Sequence, residues 1–113
     1  MEPRHLNKRL LDILNAIEEI EGFVKEKGKR FDIFKSDRMF LRSVQMNIAI
    51  IGEAMNKILE QHPQININNA RKIVDTRNYV IHGYDSLSEE ILWGIVIKNL
   101  PILKQEITTL LQI

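Results

Sequence analysis

The sequence predicts an all-α fold, an up-and-down bundle of four to five helices in a single domain over residues 1–113. Three observations lead there. Apolar residues recur at steps of three and four along most of the chain. No stretch shows the sustained apolar–polar alternation of a strand, and no Asn-Gly hairpin turn occurs. Glycine, proline and asparagine fall at the joints between the periodic stretches, where a helix must stop or start.

The first helix is carried by Leu6, Leu10, Ile13, Ile17, Ile20 and Val24, a single apolar stripe that leaves Glu18, Glu19, Lys25 and Lys27 for water. Gly28 is its natural end. Leu41, Val44, Ile48, Ile51, Met55 and Ile58 repeat the spacing in a second long helix, with Ser36 or Asp37 as N-cap. His62-Pro63 stops it, because the residue before proline is disfavoured in helical geometry. Asn66, Asn68 and Asn69 mark a polar turn, and one of the last two caps a third helix whose inner side holds Ala70, Ile73, Val74, Val80 and Ile81. Gly83 ends that helix, and Ser86 with Glu89 three residues later fits a capping box. The final helix runs over about 87–111, with Pro101 expected to kink or split it.

That last helix is apolar on more than one face: Ile91, Leu92, Trp93, Ile95, Val96, Ile97, Leu100, Ile102 and Leu103 are too many for one stripe. A second buried contact is expected, most simply a homodimer, the other possibility being a helix central to the monomer.

Composition narrows the function. Lys and Arg total 16 against 15 Asp and Glu, so there is no global basic signature and any RNA contact must come from a local patch. There is no cysteine, which removes disulfides and thiolate metal sites. No apolar run approaches the roughly 20 residues of a membrane span, and no signal peptide is evident, so a cytoplasmic protein without membrane association is expected.

One segment departs from plain amphipathic helix. Arg77-Asn78-Tyr79-Val80-Ile81-His82-Gly83-Tyr84 places a guanidinium, a carboxamide, an imidazole and a phenol within eight positions of an otherwise apolar stretch. Arg suits phosphate oxygens and His moves protons near neutral pH. On an ideal helix Arg77 and His82 differ by about 140° and roughly 7.5 Å of rise, so they do not stack directly. Asn78 and His82 share a face at i,i+4, which makes Asn78 a candidate support for the imidazole. A shared site is easier if a second copy of the helix faces the first. The bland alternative is an ion pair of Arg77 with Asp75 or Glu53 and a helix-capping His82. Tyr79 is expected in the core rather than stacked on a base. His5 and His62 are expected at the surface, and no H-x-x-x-H spacing marks a metal site. Lys25, Lys27, Lys29 and Arg30 form a basic patch around Gly28, more commonly a solvated loop than an RNA contact, and Arg38 with Arg42 makes an i,i+4 pair that could extend the cleft.

The segment resembles the R-x4-H-x-Y signature of HepT-like proteins in the HEPN superfamily. Ile51-Gly52-Glu53-Ala54 is similar to the Gly-Glu-Ala stretch on that family's second long helix, His62-Pro63 to its link into the motif helix, and Leu92-Trp93 with Leu100-Pro101-Ile102-Leu103 to its closing helix. The likeness keeps order and spacing over nearly the whole chain. It departs at 65–69, where many relatives carry a Trp.

The resemblance implies a metal-independent endoribonuclease toxin of a type VII-like toxin–antitoxin pair, acting as a homodimer whose two motif helices form a composite cleft and cutting RNA such as tRNA. It implies no cofactor and a minimal nucleotidyltransferase antitoxin of MntA type as partner. Carried onto this chain, Arg77 and His82 are the catalytic pair and Tyr84 is the residue that receives AMP from the antitoxin. Glu53 is a supporting candidate, able to pair with Arg77 and orient it. The alternative function is a non-catalytic substrate-binding subunit of a two-component nucleotidyltransferase, with the same pair binding a nucleotide or the partner's surface.

Overall fold

The computed structural model describes residues 3–82 and 89–112, with side chains described for 4–77 and 89–112. Helix α1 covers Pro3–Lys27, α2 Phe31–Ser36, α3 Arg38–Gln61, α4 Ala70–His82, α5 Glu89–Gly94 and α6 Leu100–Leu111. A single π turn, Ile95–Asn99, joins α5 to α6. The fold is an all-α bundle, with α3 packed against both α1 and α4 and α6 packed against α1. No helix among the described residues is long and apolar enough to cross a membrane.

The stripes read from the sequence form the core. Leu10, Ile13, Ile17 and Ile20 of α1 are buried, and Val44, Ile48, Ile51, Met55 and Ile58 of α3 meet them. Val74 closes this layer from α4. The helix ends follow local chemistry. Gly28 has φ +92°, a left-handed value that spares it a Cβ clash, and its N–H donates to Val24 O. His62 ends α3, donating its N–H to Ile58 O. The loop before α4 is anchored by buried Ile67 and by the Glu106 carboxylate, which accepts from the Asn68 N–H at 2.8 Å.

Of the two N-cap candidates for α3, Asp37 takes the role: its carboxylate accepts from Phe40 N–H at 3.1 Å and pairs with Lys27 at 3.1 Å. Those contacts, the Phe40 N–H first, hold its pKa below the ordinary 3.8. A depressed folded pKa means the unfolded chain binds the proton more readily. The stabilisation is therefore present above pH 3.8 and disappears as the pH falls through the lower folded value. Asp37→Ala is expected to lower the thermal midpoint at pH 7, and the gap from wild type to close in an acid titration followed by circular dichroism.

Helix α2 is not evident from periodicity. Its six residues offer one apolar repeat, Phe31 and Phe34, among charges. Its reason is tertiary: Phe34 is fully buried, stacked on Trp93 at 5.0 Å and edge-on to Phe40 at 5.1 Å.

The final helix is split ahead of Pro101, as the proline requires. Leu100 N–H reaches back five residues to Ile95 O, and α6 then starts with Pro101 in its first turn, where a missing N–H costs nothing. The apolar surplus of this region is largely absorbed within the chain. Leu92, Val96, Leu100, Leu103 and Ile107 are buried, and Trp93 is covered by the α2 aromatics. Ile91 and Ile102 stay exposed. Among the described residues the most exposed apolar side chains lie instead on α3: Met39 at 72% and Met46 at 67%. Ser86, Leu87 and Gly83, expected to bound α4 and the last helix, lie outside the described residues.

Candidate functional site

The site begins with a close approach of two helices. Gly52 lies inside α3, where Arg77 of α4 crosses it; a Cβ at 52 would overlap Arg77 Cβ and come within 2.9 Å of Arg77 Cγ. The missing side chain lets the stem of Arg77 lie flat on the α3 backbone. One residue further along α3, the Glu53 carboxylate receives the Arg77 guanidinium through Oε2. Its other oxygen faces Lys57 Nζ at 3.9 Å, one turn further along α3. Of the two ion-pair partners open from the sequence, Glu53 holds the arginine, and Asp75 is exposed on α4 itself.

The arginine side chain is 21% exposed and the glutamate 50%. The stem is packed while the charged head borders water.

Five residues after Arg77, on the same uninterrupted helix, stands His82, with Asn78 between them. The backbone thus keeps the expected helical offset of about 140° between the pair. The side chains of Asn78 and His82, and the whole of Tyr84, lie outside the described residues. Arg77 and Glu53 are therefore the two predicted site residues whose side chains are seen to meet. Gly52 is the residue that sequence reasoning undervalued. It was quoted there as part of a motif, while its role follows from spatial contact between α3 and α4.

The remaining candidates resolve simply. His5 is exposed. His62 is half-buried rather than at the surface, and its Nε2 is enclosed without a hydrogen-bond partner among the described residues. The cause is its place at the α3 C-cap. In the basic patch, Lys27 pairs with Asp37 and Arg30 with Asp32, so half its charge is compensated locally. Among the described residues no group of three or more His, Asp or Glu side chains is placed to hold a metal ion.

Comparison with known proteins gives the site its context. The family model described as "Ribonuclease HepT-like" matches residues 13–110. The chain is 34% identical over 99 residues to a protein of Thermococcus cleftensis named "Probable ribonuclease HepT", covering 84% of this chain and 86% of that one. It is 29% identical over 111 residues to a Methanocaldococcus jannaschii protein provisionally named as an RNase, covering 95% and 97%. No solved structure matches. With the matched segment spanning α4 and the Gly52–Glu53 crossing alike, the chain belongs to the HepT-like family of the HEPN superfamily.

Proposed function

We propose that this protein is an endoribonuclease that needs no metal, the toxin half of a toxin–antitoxin pair, working as a homodimer with Arg77 and His82 as its reacting pair. The observation that carries the proposal is the arginine laid across Gly52, oriented by Glu53 and set five residues before His82 on one helix. RNA supplies its own nucleophile, the 2′-hydroxyl next to the scissile phosphate. An imidazole takes the 2′-proton as the oxygen attacks phosphorus. Negative charge builds on the phosphoryl oxygens, and the Arg77 guanidinium offers a fork of N–H donors to them. The bond to the 5′-oxygen breaks, that oxygen takes a proton, and a 2′,3′-cyclic phosphate remains. Two copies of His82 across a dimer can divide the base and acid roles.

Regulation follows from the same charges. Transfer of AMP to Tyr84 by a minimal nucleotidyltransferase antitoxin would add bulk and negative charge two residues after His82 and oppose the RNA backbone. tRNA is the proposed substrate.

The test is cleavage of total tRNA by purified, unmodified protein in EDTA, with the product ends identified. Cleavage leaving cyclic phosphates supports the reading. No cleavage by protein whose intact mass shows no AMP overturns it, and leaves the same residues as a nucleotide or partner-binding surface. Glu53 acts here as a positioning residue. Glu53→Gln is expected to lower kcat roughly tenfold by letting the guanidinium drift. Its thermal midpoint should barely move, because a half-exposed pair adds little stability. Glu53→Asp should recover part of the loss.

A further inference from the structure

A cavity of about 250 Å³ lies between α3, α4, the π turn and α6. It reaches the middle of the bundle: Ile48, Ile51, Leu100 and Leu103 line it and are themselves buried. Ile73 of α4 and Ile95 of the π turn form its side walls. Its charged lining lies towards water. Lys72 of α4 and Lys98 of the π turn are both exposed, and neither has an ion-pair partner among the described residues. The carboxylate on the lining is Glu106, which is engaged by the Asn68 N–H at 2.8 Å. Asp75 on α4 and Glu89 and Glu90 on α5 stay off the lining, as do Arg71 and Lys104. The opening therefore carries one more positive charge than negative.

Gly94, between the side walls and the π turn, accounts for part of this space. Its φ of −58° and ψ of −40° are ordinary right-handed helix, so the backbone does not call for glycine there. A Cβ at 94 would meet no atom within 4 Å. A larger residue would fit without strain and would take up room in the cavity. The π turn that follows lines the same wall, and such turns recur at functional sites.

A space walled by isoleucine and leucine repels water and suits an apolar body. Since about 150 Å³ accommodates the six carbons of benzene, this one holds roughly eight to ten. A partner's helix, about 10 Å across, would cover the opening and leave the interior unfilled. Two ammonium groups without partners suit one anionic head, kept at the opening where it stays partly hydrated.

We propose that this cavity binds a small amphipathic anion, a carboxylate on a chain of about eight carbons, with the chain against Ile51, Ile73 and Ile95 and the carboxylate at Lys72 and Lys98. Two of the lining residues, Ile51 and Thr76, are chain neighbours of Gly52 and Arg77, so such a ligand sits behind the α3–α4 crossing.

The test is calorimetric titration with sodium octanoate, using protein that native mass spectrometry shows to be ligand-free. Saturable one-to-one binding is expected. Butyrate, four methylenes shorter, should bind on the order of 100-fold more weakly, because that much apolar burial is lost. Octylammonium keeps the chain and reverses the charge, and should bind about tenfold more weakly. The double variant Lys72→Gln/Lys98→Gln should lose that preference and keep its fold, since both side chains are exposed. Gly94→Leu should abolish binding while raising the thermal midpoint of the free protein. In spectra of isoleucine methyl groups, octanoate should shift Ile51, Ile73 and Ile95 and leave Ile13 and Ile17 of α1 in place. No saturable binding of octanoate, equal affinity for octanoate and octylammonium, or shifts centred on Ile13 and Ile17 overturns the proposal. Undiminished binding by Gly94→Leu puts the ligand elsewhere and overturns it as well. Every arm measures binding alone, so failure of the ribonuclease reading cannot be mistaken for failure of this one.

Discussion

Arg77→Ala and His82→Ala are each expected to lose RNA cleavage by about 10²- to 10⁴-fold, the range for removing a charge-stabilising donor or a proton-transfer group. The two losses should differ in character. Arg77→Lys keeps the positive charge but not the planar fork, and an ammonium is a point charge that cannot hold two phosphoryl oxygens side by side. It is expected to stay well below wild type in kcat while binding RNA nearly as tightly. His82→Ala should flatten the pH profile of any residual cleavage, because the group that titrates near neutral pH is gone. Stopped-time gels across pH 5–9, with circular dichroism confirming fold, are the measurement. Full cleavage by His82→Ala would end the proposed mechanism. Because residues acting as a unit are not additive, the double variant should be scarcely worse than either single one.

The second large effect is structural. Replacing glycine by alanine inside a helix ordinarily stabilises it by about 0.5–1 kcal/mol. At Gly52 the sign should reverse, because the new Cβ would meet Arg77 Cβ rather than a flexible side-chain tip. The α3–α4 spacing must open, at a cost of about 1–3 kcal/mol, the usual penalty for an overfilled interface. Gly22 in α1 is the control: nothing lies within 4 Å of a Cβ there, so Gly22→Ala should gain stability. Urea unfolding measures both. Gly52→Ala should also lose cleavage by about 10²-fold, since a displacement of an ångström at a reacting group has that effect. A Gly52→Ala protein as stable and active as wild type would show that the close crossing does not govern the site.

How much of this was legible beforehand depends on whether a residue's role is local. The stripes of α1 and α3 were, since Ile13, Ile17, Val44 and Ile48 are buried where their periodicity puts them. So were the ends at Gly28 and His62, which depend on backbone preferences of one or two residues. Helix α2 was not, because Phe34 is buried by Trp93, which follows it by almost sixty positions. The candidate pair Arg77 and His82 was visible as an unusual local string. The choice of Glu53 over Asp75 could have been reached by noting that residues two apart on a helix do not face each other. What no pattern could supply was the distance between α3 and α4, and with it the purpose of Gly52.

The π turn at Ile95–Asn99 has a consequence for how this chain tolerates change in length. A π turn holds one residue more than the α-helical turn it replaces. Leu92 before it, Val96 within it, and Leu103 and Ile107 after it are all buried. Deleting a single residue there would restore regular helical bonding and leave Leu103 and Ile107 facing the core, because the wide turn itself takes up the extra residue. The turn works as slack: it takes up a one-residue surplus without turning the C-terminal helix out of its place, so this segment should bear the loss of one residue better than the helices on either side of it.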